Sequence, residues 1–126
     1  MKKLYIQDID ILNTSIIVVC CSGAKELQDM LQKSKLVSKE AKKELIDIQA
    51  DNVNGAVFYN IETNQPLLLY IKDRKKDWNF YEVLLHETNH VVYYFMKAIE
   101  STNEPEFRAR LHEMLFRDIR KKLSTS

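Results

Sequence analysis

The chain lacks most of the features that would assign it quickly to a class. It has no long apolar run: Ile16-Ile-Val-Val-Cys-Cys is six residues, far short of the ~20 that a membrane-spanning helix needs. It has no excess of either charge, with 19 Lys and Arg against 18 Asp and Glu, which argues against a surface built for nucleic acid. The clusters Lys72-Asp-Arg-Lys-Lys and Arg117-Asp-Ile-Arg-Lys-Lys are local. The first reads as a loop, and the second places cations in a last helical turn, where the helix dipole favours them. Met1-Lys2-Lys3 imitates the start of a secretion signal, but Asp8 and Asp10 interrupt the apolar stretch that should follow, so none is expected. There are only two cysteines, and they are neighbours. In a strand Cys20 and Cys21 point to opposite faces and cannot readily pair, which suggests buried thiols in a reducing, cytoplasmic setting. There is no repeat, low-complexity tract or linker. The 126 residues are expected to form one domain, 1–126, large enough for a core but small for an enzyme.

The hydrophobic pattern predicts a mixture of strands and helices. Thr14 is followed by a β-branched run that reads as a strand over 15–21, with 3–12 as an extended lead-in or partner strand. Ser22-Gly23 opens a helix over about 23–33. Ser38 caps another from Lys39 to Gln49, with Leu45 and Ile48 turned inward. Asn54-Gly55 marks a turn. Ala56–Ile61 and Pro66–Ile71 then form a hairpin around Glu62-Thr-Asn-Gln. The expected class is α+β: a small mixed sheet with a β-hairpin packed on a central helix, followed by an antiparallel C-terminal helix.

That central helix carries the most informative residues, His86-Glu87-Thr88-Asn89-His90. A shuffled chain with three histidines and ten glutamates produces H-E-x-x-H roughly 0.5% of the time, so chance is a poor account of it. On a helix, residues four apart share a face, and His86 and His90 can offer two imidazoles to one Zn²⁺. Glu87 follows the first ligand and is expected to act on a bound water as general base without entering the coordination sphere. Val83, Leu84, Leu85, Val91, Val92, Phe95, Met96 and Ile99 cover most of the helical circumference, so the helix is expected to be buried all round.

A mononuclear zinc needs a third protein ligand. The extended form H-E-x-x-H-x-x-G-x-x-H is excluded, because Tyr93 and Met96 stand at its later positions. Ser101-Thr-Asn-Glu-Pro105 reads as the start of a further helix, running from about Glu104 to Lys122. In an antiparallel pair its first turns return toward the histidines. Glu106 is the preferred third ligand, with the small Ala109 one turn on to allow close approach; Glu104, Glu113 and His112 are the alternatives.

Trp78-x7-His86-Glu87-x-x-His90, the apolar continuation, and then Glu106-x-x-Ala109-x-Leu111 on a terminal amphipathic helix resemble the small zincin-like metallopeptidases of phages and prophages. More broadly they resemble the gluzincin branch of H-E-x-x-H peptidases. The chain departs from that pattern at Arg110, where an aromatic is expected, and at Val91, where a small residue often stands. The resemblance implies a mixed α/β fold, a zinc cofactor and peptide-bond hydrolysis on a protein or peptide substrate; the charge balance and the short apolar runs argue separately against a nucleic-acid or membrane partner. A strand near 55–61 or 66–72 is expected to pair with an extended substrate, and Tyr93, Tyr94, His112 and Arg110 are unranked candidates to stabilise the oxyanion. The rival expectation is a catalytically silent binding or regulatory protein, or a zinc clip that only stabilises the fold.

Overall fold

The computed structural model describes residues 2–44, 53–60, 62–99 and 105–124. Strand β1 (Lys3–Ile9) pairs antiparallel with β2 (Thr14–Cys21). A single 3₁₀ turn, Asp10–Leu12, joins them, ending on Asn13 in the left-handed region at φ 50°, where asparagine is tolerated better than most residues. The extended lead-in expected over 3–12 is thus a partner strand, shortened by the turn. After β2, helix α1 (Ala24–Lys33) and a short α2 (Lys39–Glu44) follow. Ser38 caps α2, its hydroxyl accepting from the Ala41 amide at 3.1 Å. The expected inward turn of Leu45 and Ile48 lies outside the described residues.

Strands β3 (Gly55–Tyr59) and β4 (Pro66–Lys72) form the expected hairpin. Its turn is held by the Asn60 side chain, whose Oδ1 accepts from the amides of Glu62 and Thr63 at 2.9 and 3.0 Å. Asn64 supplies the positive φ of 61°. The order in the sheet is β1-β2-β4-β3, and β2 and β4 run parallel. That central parallel pair explains why both strands are apolar along nearly their whole length: each is covered on two faces.

The two faces divide by residue parity. Val18, Cys20, Leu69 and Ile71 face the long helices α3 (Trp78–Ala98) and α4 (Pro105–Ser124), whereas Ile17, Val19, Cys21, Leu68 and Tyr70 face Leu27 and Leu31 of α1. Cys20 and Cys21 are therefore free and buried in different cores. Burial holds both thiols above the ordinary range, Cys21 at about 11. No helix among the described residues is long and apolar enough to cross a membrane.

Helix α3 is capped by Asp77, whose carboxylate accepts from the Phe80 amide at 3.1 Å. Helix α4 packs antiparallel to it: the Tyr81 hydroxyl near the start of α3 lies 3.1 Å from Ser124 Oγ at the end of α4. The α+β layout expected from the pattern is the one observed. The expectation that α3 is buried all round is corrected. Its buried arc is Phe80, Leu84, Glu87, Thr88, Val91, Val92, Phe95 and Met96. Leu85 and Ile99 are 47% and 51% exposed, because the sheet and α4 cover only one side of a helix that lies at the surface.

Candidate metal centre

His86, Glu87 and His90 come together on α3, each offering a ligand atom within 4.8 Å of the others. His86 Nε2 and His90 Nε2 are 3.0 Å apart, with the rings edge to face. Two nitrogens bound tetrahedrally at 2.0–2.1 Å stand about 3.3 Å apart, so the pair is near the bite of a divalent ion and closes on it with a small opening. The Glu87 carboxylate is 4.0 Å from His86 Nε2. That places the carboxylate beside the pair, close enough to offer a ligand atom or to face a water held there. The donor set, two imidazoles and a carboxylate, suits zinc by chemistry.

Burial divides the three residues unexpectedly. Both histidines are exposed, His86 with 68% of its side chain accessible, while Glu87 is buried at 8%. The expectation of buried histidines in need of a partner is therefore corrected; the group in need is the carboxylate. Desolvation raises the Glu87 carboxyl above its ordinary value, and the neighbouring His90 and His86 pull it part of the way back. A raised carboxyl is a better proton acceptor than an ordinary one, which suits a general base.

Strand β3 buries it. A Cβ built on Gly55 would stand 2.8 Å from Glu87 Cγ and 2.9 Å from Val83 Cγ1. The glycine expected to mark a turn in fact opens the strand, and its missing side chain lets backbone pass directly over the carboxylate stem. Four residues on, Tyr59 stacks on Tyr94 with ring centroids 4.0 Å apart. The two contacts bracket the histidines. They also show that strand and helix run in the same direction, since four strand residues and about nine helix residues both span roughly 13 Å. Among the described residues β3 is an edge strand and β4 is internal, so of the two candidate pairing strands only β3 has a free edge. An open trough of about 350 Å³ lies there, lined by Asn54, Gly55, Glu82, Val83, His86 and Glu87. A larger one, about 700 Å³, lies over α1 between Lys2 and Gln32, holds the Lys2–Glu26 ion pair and contains no histidine or cysteine.

Glu106 is not brought to this group. It lies in the first turn of α4 and is exposed. The reason is helical phase. Leu111, Leu115, Ile119 and Leu123 form the buried stripe of α4, and at 100° per residue Glu106 sits about 140° from Leu111. Ala109, Arg110 and Glu113 share that exposed side, so Ala109 does not mediate close approach of the helices. Glu104 lies outside the described residues. His112 points the other way, with Nε2 3.1 Å from the Leu85 carbonyl and 3.0 Å from Thr88 Oγ1. Of the oxyanion candidates, Tyr94 lies one turn beyond His90 against Tyr59, Tyr93 is exposed, and Arg110 is on the outer side of α4. Gly55 and Thr88 are the residues sequence reasoning missed. A glycine opening a strand pattern and a polar residue on an apolar arc were the available signals.

No family model, curated protein or solved structure matches the chain. The functional reading therefore rests on the residues and their geometry. What they establish is a possible metal-binding group of H-E-x-x-H pattern on an α+β scaffold.

Proposed function

We propose that the protein is a zinc-dependent peptide hydrolase, with His86, His90 and Glu106 as metal ligands and Glu87 as general base. The observation that carries this reading is the buried carboxylate beside an exposed histidine pair, held under Gly55 of the edge strand β3. When bound, the metal supplies Lewis-acid activation of a water and of a carbonyl. The chain's own residues do the rest. Glu87 accepts the proton of the attacking water on its carboxylate and delivers it to the departing amine. The edge of β3 offers backbone hydrogen bonds to an extended substrate, which would lie along the trough lined by His86 and Glu87. Because Glu106 stands on the outer side of α4, its ligation requires the first turn of that helix to rotate toward the pair.

That requirement favours a second reading. Glu87 is already in the group and Glu106 is not, so Glu87 could fill the third position and make the site a clip that stabilises a binding or regulatory protein. Glu87→Gln separates the two. On the hydrolase reading the variant keeps its zinc, measured by elemental analysis, and loses cleavage of a denatured protein substrate. Loss of the zinc itself would make Glu87 a ligand and the hydrolase assignment wrong.

A further inference from the structure

The chain has three histidines, and the site uses two. The third, His112, is tied to the helix that carries the other two. Its Nε2 lies 3.1 Å from the backbone carbonyl of Leu85 and 3.0 Å from Thr88 Oγ1. The Thr88 hydroxyl in turn donates to the same Leu85 carbonyl at 3.0 Å. A carbonyl oxygen can only accept, so His112 Nε2 carries its proton and shares it between the two oxygens. Nε2 is thereby engaged and not free for a metal, and His112 is not among the residues whose ligand atoms cluster with those of His86 and His90.

The two residues it holds are the ones that flank His86-Glu87. Leu85 precedes the pair and Thr88 follows it. Thr88 is fully buried, one of only two buried polar or charged residues among those described; the other is Glu87 itself. A buried hydroxyl on an otherwise apolar arc costs stability unless it is satisfied, and here both its hydrogen bonds go to the clamp. The rotation of α3 about its axis decides which residues reach the trough. Turning it by one residue would swing Glu87 off Gly55 and carry His86 toward the sheet. Apolar packing alone fixes that rotation weakly, since Leu84, Val91, Val92 and Phe95 offer a broad greasy arc. Directional hydrogen bonds on either side of the pair fix it sharply.

We propose that His112 is a positioning residue for the metal site: through Leu85 and Thr88 it sets the rotation of α3 that presents His86 and His90 to one ion and Glu87 to the trough. This rests on the metal-site reading above and extends it, assigning to the third histidine a role across the helix pair instead of in the coordination sphere.

The test uses the full chain loaded with Co²⁺, whose visible d–d absorption reports ligand geometry. His112→Leu should weaken Co²⁺ binding about tenfold or more, in the range found for residues that orient metal ligands, and should change the shape of the spectrum. His112→Gln, which keeps a donor near the Nε2 position, should restore both. Thr88→Val removes the buried hydroxyl at constant volume and should shift affinity and spectrum in the same direction, which keeps the proposal testable if His112→Leu folds poorly. A His112→Leu or Thr88→Val protein with lowered melting temperature but wild-type affinity and spectrum would reduce the clamp to a fold stabiliser and overturn the proposal. Loss of a nitrogen donor that glutamine does not restore would make His112 a ligand and overturn it as well. Failure of wild type to bind Co²⁺ at all would instead remove the metal reading and this extension together.

Discussion

Helices α3 and α4 are nearly equal in length, at 21 and 20 residues, and differ in how far they obey the rule that apolar residues face inward. Helix α4 follows it closely: Leu111, Leu115, Ile119 and Leu123 are buried at four-residue spacing, Arg110, Glu113, Arg117, Asp118 and Arg120 are exposed, and Met114 is its one exposed large apolar side chain among the described residues. Helix α3 breaks it in both directions. It buries Glu87 and Thr88 and exposes Trp78, Leu85 and Tyr93, with Trp78 at 75%. A helix whose sequence serves only packing has no reason to bury a carboxylate under a glycine. The difference sets α3, which carries the possible metal-binding group, apart from α4, whose buried residues serve packing.

Substitutions on the two helices should separate stability from metal binding. Ile119 is fully buried, so Ile119→Ala should cost about 2–5 kcal/mol in chemical denaturation while the remaining folded protein binds metal normally. A change in metal affinity of the folded fraction would break the division between scaffold and site. Gly55→Val tests the strand that covers α3. Its new side chain would collide with Glu87 and Val83, and a cost of about 1–3 kcal/mol is expected, with zinc retained on the histidines and hydrolysis lost. Retention of full activity would mean that Gly55 does not hold the carboxylate.

The buried carboxylate also predicts a pH dependence for metal-free protein. The folded-state value of Glu87 is raised, so the protonated form favours folding. That contribution is present at low pH and is lost as pH rises through the folded-state value. Glu87→Gln, neutral throughout, should therefore melt a few degrees above wild type at neutral pH without metal, and the difference should shrink on acidification. A smaller melting temperature for the variant at neutral pH would contradict the sign. The smallest effect on stability is expected at Glu106 on α4. Glu106→Ala should change metal-free stability by no more than about 0.5 kcal/mol, since the side chain is exposed. Its zinc affinity, followed by chelator competition, should fall on the order of a hundredfold if the first turn of α4 rotates to ligate. An unchanged affinity would remove Glu106 from the ligand set.

Much of this was legible in the sequence. Periodicity placed the hairpin, both long helices and the strand over 15–21, because strands buried on both faces and amphipathic helices leave strong local patterns. The i, i+4 histidines and Glu87 were placed together by helical geometry alone. What failed depended on how elements pack. The parallel pairing of β2 with β4 joins residues about 50 apart and leaves no local signal. The exposed side of α3 was misjudged because apolar residues such as Leu85 stand on both sides of it. The side of α4 on which Glu106 stands is set by the leucine stripe, which a count of distance along the chain does not read.

The central claim is that α3 holds a metal through an exposed histidine pair. The most direct measurement is zinc content after loading with one equivalent and exhaustive dialysis, comparing wild type with the His86→Ala/His90→Ala double variant. Wild type should retain about one Zn²⁺ per chain and the double variant none. Their metal-free melting temperatures should agree closely, because neither histidine is buried. Equal zinc in both proteins, or none in either, would contradict the account.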